Sequence, residues 1–93
     1  GYVSFLEHLR AAYPEAEIFC TVGPMLTGST LTRTRDDIAA AVAERNDGGD
    51  DHVRTVPIET PNEEPGCDWH PNPATQAAMA AELEAALSAV LGW

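Results

Sequence analysis

The sequence predicts an α/β fold of order helix, strand, helix, strand, helix, with its two strands parallel. Three observations predict it. Two short apolar runs, "AEIFCTV" (16–22) and "HVRTVPIE" (52–59), alternate with three longer stretches of helical periodicity. Strands separated by helices are joined by crossovers, which makes them parallel neighbours in one sheet. Two strands alone bury little and leave their outer edges open, so this order reads as the back part of a larger α/β domain.

The first helix is expected over residues 2–13, "YVSFLEHLRAAY". Val3, Leu6, Leu9 and Tyr13 recur on one face, Glu7 and Arg10 lie off that stripe, and Pro14 ends the helix. The run 16–22 is then a strand bounded by Pro14 and by Gly23-Pro24; its continuous apolarity suits cover on both faces. Residues 23–33, "GPMLTGSTLTR", read as a loop. Thr32 or Thr34 is the expected cap of the second helix, with Asp36 and Asp37 in its first turn and Ile38, Ala41, Val42 and Arg45 marking its spacing.

"NDGGDD" (46–51) breaks the chain before the second strand, 52–59, which carries Pro57 near its end. "TPNEEPG" is loop. The last helix is expected from about Pro73 to Leu91, with Asn72 as N-cap and Pro73 as its first residue. Met79, Leu83, Leu87 and Val90 form its inward stripe, and Glu82 and Glu84 read as a solvated flank. There is no internal repeat and no low-complexity tract.

Composition narrows the function classes. The chain has 93 residues, of which 44% are hydrophobic, so it is at most one globular domain with a small core. Five Lys and Arg stand against 15 Asp and Glu, a formal charge of −10. Such a surface repels phosphate backbones, which argues against nucleic acid, and no basic amphipathic stretch offers a grip on anionic lipid. No apolar run reaches the ~20 residues of a membrane span. The chain starts at Gly1 without Met, so further sequence is expected before it. Cys20 and Cys67 fall near strand starts or ends on one sheet edge and form a candidate disulfide, which fits an exported protein.

Chemistry concentrates in "GCDWHPNPATQAAMA" (66–80), where Cys67, Asp68, Trp69 and His70 sit side by side just before the last helix. In open α/β sheets ligands bind beyond the carboxyl ends of the strands, and His70 follows the second strand. Pro71 and Pro73 stiffen the loop, so His70 is a candidate proton carrier with Asp68 as the acid that orients it. The plain alternatives are a capping or packing role for His70, a solvated acid at Asp68 and a packing role for Trp69. Cys67 and His70 form a C-x-x-H, yet no second pair completes a zinc site, and no metal or other cofactor is expected. His8 and His52 read as residues without chemistry.

"YPEAEIFCTVGPML" followed by "GCDWHPNPATQAAMAAELEAALSAVLGW" resembles the C-terminal part of SGNH (GDSL-type) hydrolases, nearest to the acetylxylan esterases of carbohydrate esterase family 2. The likeness spans nearly the whole chain and rests on "GCDWHP" and "GPM". It implies that residues 1–93 are the C-terminal portion of one three-layer α/β/α, flavodoxin-like domain of a secreted esterase that removes acetyl groups from carbohydrate such as xylan. It further implies that a serine attacks the acetyl carbonyl, an oxyanion hole holds the charge, and His70 takes the serine proton.

Trp69 is then a candidate wall of the sugar site. The family's usual Asp-x-x-His spacing falls on Cys67, so either Asp68 or a backbone carbonyl orients His70. The Gly-Asp-Ser block, its glycine and its asparagine are absent: Ser4 and Ser88 lie in expected helices and Ser29 in a loop of different context. The expected partners are an acetylated polysaccharide or small ester and the N-terminal segment of the same domain. The alternative is a non-catalytic carbohydrate-binding or interaction domain of the same fold.

Overall fold

The computed structural model describes residues 1–93. Its elements are α1 (Tyr2–Ala12), β1 (Ile18–Cys20), α2 (Gly28–Asp47), β2 (Val53–Thr55), a short 3-10 turn (Cys67–Trp69) and α3 (Pro73–Leu91). The strands are parallel, in the register Ile18–Val53, Phe19–Arg54 and Cys20–Thr55, and α2 forms the crossover between them. The expected order and strand direction therefore hold. No helix is long and apolar enough to cross a membrane.

Both strands are shorter than the apolar runs that announce them. Pairing needs a partner for each residue. It is extended past the three register pairs by the bonds from Ile18 N–H to His52 O and from Val56 N–H to Cys20 O, each 2.8 Å. Pro57 has no N–H and closes the ladder there.

α2 starts at Gly28, inside the stretch expected to be loop, with Thr27 extended before it. The threonines that suggested a cap are helical instead. Thr32 and Thr34 return their hydroxyls to the carbonyls of Gly28 and Thr30, at 3.3 and 2.8 Å. Asp36 and Asp37 consequently lie well inside the helix rather than in its first turn. At its far end the chain reverses through Gly49, whose φ of 102° suits only glycine.

Leu6 of α1, Cys20 of β1, Ile38, Ala41 and Val42 of α2, and Val53 of β2 form the core. α1 and α2 thus cover one face of the sheet. The other face carries Phe19 and Arg54, with the guanidinium 5.8 Å from the ring centre. The expectation that both faces are covered is not met by this chain, because α3 does not pack over that face: its one buried residue is Thr75. Met79, Leu83, Leu87 and Val90 are only half-buried.

Only nine of the 93 residues are buried, and the radius of gyration is 14.5 Å. A compact domain of this length measures about 12 Å.

At the amino ends of the strands, polar contacts take over from apolar ones. Asp50 accepts from Arg10 Nε (2.9 Å), Arg10 Nη2 (3.1 Å), Arg45 Nη2 (3.2 Å) and the His52 N–H (3.2 Å). Arg10 also donates to the Ala16 carbonyl at 2.7 Å. One carboxylate so joins α1, the end of α2 and the start of β2. Arg10, read as lying off the helix stripe, is a tertiary residue.

Candidate active site

Beyond Val56 and Ile58, both buried, the chain leaves the carboxyl end of the sheet and runs without regular structure to Gly66. Arg35 of α2 fixes the exit by donating to the Ile58 carbonyl at 2.8 Å. The Glu82 carboxylate of α3 fixes the next step. It accepts from the N–H groups of Glu59 (2.7 Å) and Thr60 (2.8 Å) and from the Thr60 hydroxyl. The Thr60 hydroxyl, then the Glu59 N–H, hold the Glu82 carboxyl below its ordinary range. Glu82 is thus a clamp and not part of a solvated flank, which corrects the sequence expectation.

Asn72 works in both directions. Its Oδ1 accepts from the Thr75 N–H at 2.8 Å, the expected N-cap, and its Nδ2 donates to the carbonyls of Glu64 (2.9 Å) and Glu63 (3.2 Å). Gln76 holds the Pro71 carbonyl at 2.8 Å. The N-terminus of α3 therefore grips the chain on both sides of the turn that carries His70.

That turn is closed by the bonds from His70 N–H to Cys67 O (3.0 Å) and from Gly66 N–H to His70 O (2.8 Å). Its two central residues are left-handed, Asp68 at φ 53° and Trp69 at φ 62°. Positive φ at both central positions is the signature of a type I′ turn, a conformation bulky side chains avoid. Asn62 Nδ2 donates to the Trp69 carbonyl at 2.6 Å. His70 follows with extended backbone (φ −68°, ψ 149°), as a residue before proline prefers.

The turn presents its side chains to solvent. Trp69 is 76% exposed, and Asp68, His70 and Cys67 are exposed as well. Asp68, Trp69 and His70 are brought together, but the turn's closing hydrogen bonds are backbone bonds, and the Asp68 carboxylate is not bonded to the imidazole.

Cys20 and Cys67 are not brought together. Cys20 points into the core, where burial pushes its thiol up, while Cys67 stands on the exposed turn, and both are free. The expected bridge is not formed, because nearness to one sheet edge says nothing of which way each side chain points. His52, read as having no chemistry, pairs through Nδ1 with Glu17 at 2.6 Å.

A cavity of about 220 Å³ lies at the carboxyl ends of both strands, lined by Cys20, Val22, Arg35, Thr55 and Ile58 among others. A second cleft runs between Thr21, Gly23 and Ile58 on one side and Met79 and Leu83 of α3 on the other. Neither contains His70 or Trp69. Within this chain the turn is exposed and lines neither cleft. Asn62 and Glu82 were missed from the sequence. Glu82 at least sits on a helix of known phase, whereas nothing marks Asn62 among the polar residues of its loop.

No protein-family model matches the sequence. The chain is 38% identical over 97 aligned residues to the cellulase/esterase CelE of Acetivibrio thermocellus, covering 100% of this chain and 12% of that protein. Among solved structures, it superposes with a TM-score of 0.89 and 38% identity on a family-two carbohydrate esterase from Clostridium thermocellum in complex with cellohexaose, covering 99% of this chain and 29% of that one. A carbohydrate esterase family 2 enzyme with a carbohydrate-binding domain, from a Corynascus species also named Myceliophthora fergusii, gives a TM-score of 0.76 at 29% identity.

These likenesses, with the alternating elements and parallel strands, define an α/β segment of carbohydrate-esterase type. The chain is homologous to part of the carbohydrate esterase family 2 enzymes. It spans 29% of the length of the matched structures and 12% of CelE.

Proposed function

We propose that this chain is the C-terminal, histidine-bearing part of a secreted serine ester hydrolase that removes acetyl groups from carbohydrate such as xylan. The observation that carries the reading is the overall likeness to a family-two carbohydrate esterase, 38% identity and a TM-score of 0.89 with 99% of the chain covered. In this proposal the serine lies outside these 93 residues. Its hydroxyl oxygen attacks the acetyl carbonyl while the His70 imidazole accepts its proton. The tetrahedral adduct collapses to an acyl-serine, and the proton leaves with the sugar hydroxyl. Water then attacks the acyl-serine while His70 takes its proton; the adduct collapses, His70 returns that proton to the departing serine oxygen, and acetate is released. Asp68, or a backbone carbonyl, orients the imidazole, and exposed Trp69 offers its face to a sugar ring.

The test uses the full-length protein. His70→Ala should lower kcat on 4-nitrophenyl acetate and on acetylated xylan by ~10³-fold or more, with folding retained. Unchanged turnover in that variant removes the base from His70.

A second reading is a non-catalytic carbohydrate-binding domain of the same fold. It is favoured by the exposure of Trp69 and by the cellohexaose bound to the Clostridium enzyme. Cellohexaose binding without esterase activity in the wild-type protein would select it.

A further inference from the structure

We propose that Asn62 is a positioning residue. By holding the Trp69 carbonyl it fixes the left-handed Asp68–Trp69 pair, and with it the directions of Trp69 and His70. The inference rests on the reading of His70 as the base, which it deepens.

The turn needs such a restraint. A tryptophan at φ 62° brings its Cβ against the backbone, and Asp68 at φ 53° adds a second left-handed residue. Strained conformations of this kind persist only where the surroundings over-determine them. The bonds from His70 N–H to Cys67 O and from Gly66 N–H to His70 O are internal to the turn and move with it. Among the hydrogen bonds to residues 67–70, the one from Asn62 Nδ2 originates outside the turn, and at 2.6 Å it is short.

The restraint leads back to a rigid element. Pro61 limits the backbone just before Asn62, and Thr60 is bound by Glu82 of α3 through its N–H and its hydroxyl. The order Glu82, Thr60, Asn62, Trp69 thus connects a 19-residue helix to the residue before His70. The other end of the Asn62 amide, Oδ1, is buried and has no partner in the chain. A buried acceptor without a partner is unfavourable and uncommon. The Nδ2 bond to Trp69 is what orients this amide.

The decisive substitution is Asn62→Asp. It keeps size and shape but sets an acceptor where the donor was, so the side chain repels the Trp69 carbonyl. Asn62→Ala, which removes the bond without repulsion, is the second variant. Both are made in the full-length protein.

Turnover of 4-nitrophenyl acetate is measured together with the ¹⁹F spectrum of protein labelled with 5-fluorotryptophan, the Trp69 signal being assigned by Trp69→Phe. The expected result is a kcat lower by ~10–100-fold, the range a small misplacement of a catalytic group costs, with KM within about threefold, the thermal midpoint nearly unchanged and the Trp69 resonance displaced in both variants.

An unmoved Trp69 resonance, or wild-type kcat in Asn62→Asp, overturns the proposal. So does a kcat loss that only follows a falling thermal midpoint, which assigns Asn62 a purely structural role. The failure of the underlying reading looks different. His70→Ala would then retain turnover, while Asn62→Asp would still displace the Trp69 resonance.

Discussion

Replacing Asp50 by asparagine tests how this fold is held at the amino edge of its sheet. The side chains of Asp50 and Arg10 are 11% and 16% exposed, and Arg10 delivers two bonds to the carboxylate while Arg45 and the His52 N–H deliver one each. The Arg10 guanidinium, with the His52 N–H and Arg45 behind it, holds the Asp50 carboxyl at about 2, against an ordinary value of 3.8. Each unit of such a shift corresponds to about 1.4 kcal/mol, and partial screening by solvent reduces the whole to roughly 1–2 kcal/mol.

The folded protein binds the Asp50 proton more weakly than the unfolded chain does. The stabilisation is therefore complete above the unfolded value of 3.8 and is lost as pH falls towards 2. Urea unfolding of full-length wild type and Asp50→Asn should differ by roughly 1–2 kcal/mol at pH 6, and the difference should shrink by about half at pH 3. Comparing the two proteins cancels the other carboxylates. Equal stability at pH 6, or a difference that does not narrow by pH 3, would refute the assignment of this network.

Glu82→Ala removes the anchor of the loop that leads to His70 and strands the N–H groups of Glu59 and Thr60. Under the proposed function, turnover of 4-nitrophenyl acetate should fall by about tenfold and the urea midpoint should drop, and a variant indistinguishable in both assays excludes the clamp. Iodoacetamide should label Cys67 in the folded protein and spare Cys20, whose thiol is buried and pushed up. A native mass lower by two hydrogens that returns on reduction would mean that a disulfide forms after all.

The order of elements was legible because their boundaries rest on local chemistry. Pro14, Pro57, the Gly48-Gly49 pair and the Asn72-Pro73 cap each act on their own backbone, and each is found where it was expected to act. Boundaries that depend on partners were not legible. The strands stop where pairing stops. α2 absorbs a Gly-Ser-Thr stretch of weak propensity, because Thr32 and Thr34 turn their hydroxyls back onto the helix and Leu31 is half-buried. The candidate site divides the same way. His70 stood out through its neighbours in sequence, whereas Asn62 acts on a backbone carbonyl seven residues on, a contact no side-chain pattern records. The pairing of Cys20 with Cys67 failed for a related reason, since an edge position carries no direction.

The two ends of the sheet are held by different physics, and the difference bears on function. Apolar burial is concentrated between α1, α2 and the strands, and the Asp50 network closes their amino ends. Past Ile58 no side chain is buried until Thr75, so burial cannot place the residues between them. Their positions depend on polar grips from α3 and within the loop itself, at Glu59 and Thr60, at Glu63 and Glu64, at Trp69 and at Pro71. Hydrogen bonds set direction more sharply than apolar contacts do but contribute less free energy each. A segment held this way is accurately placed yet cheap to displace, and it belongs to the low-stability part of the fold. In the function proposed above, that arrangement suits a turn that aims an imidazole at a serine on another segment, because docking of that segment can complete what the polar grips begin. Changes at Asp50 should accordingly act on the folding equilibrium with kcat unchanged, and changes at Asn62 on kcat with the folding equilibrium nearly unchanged.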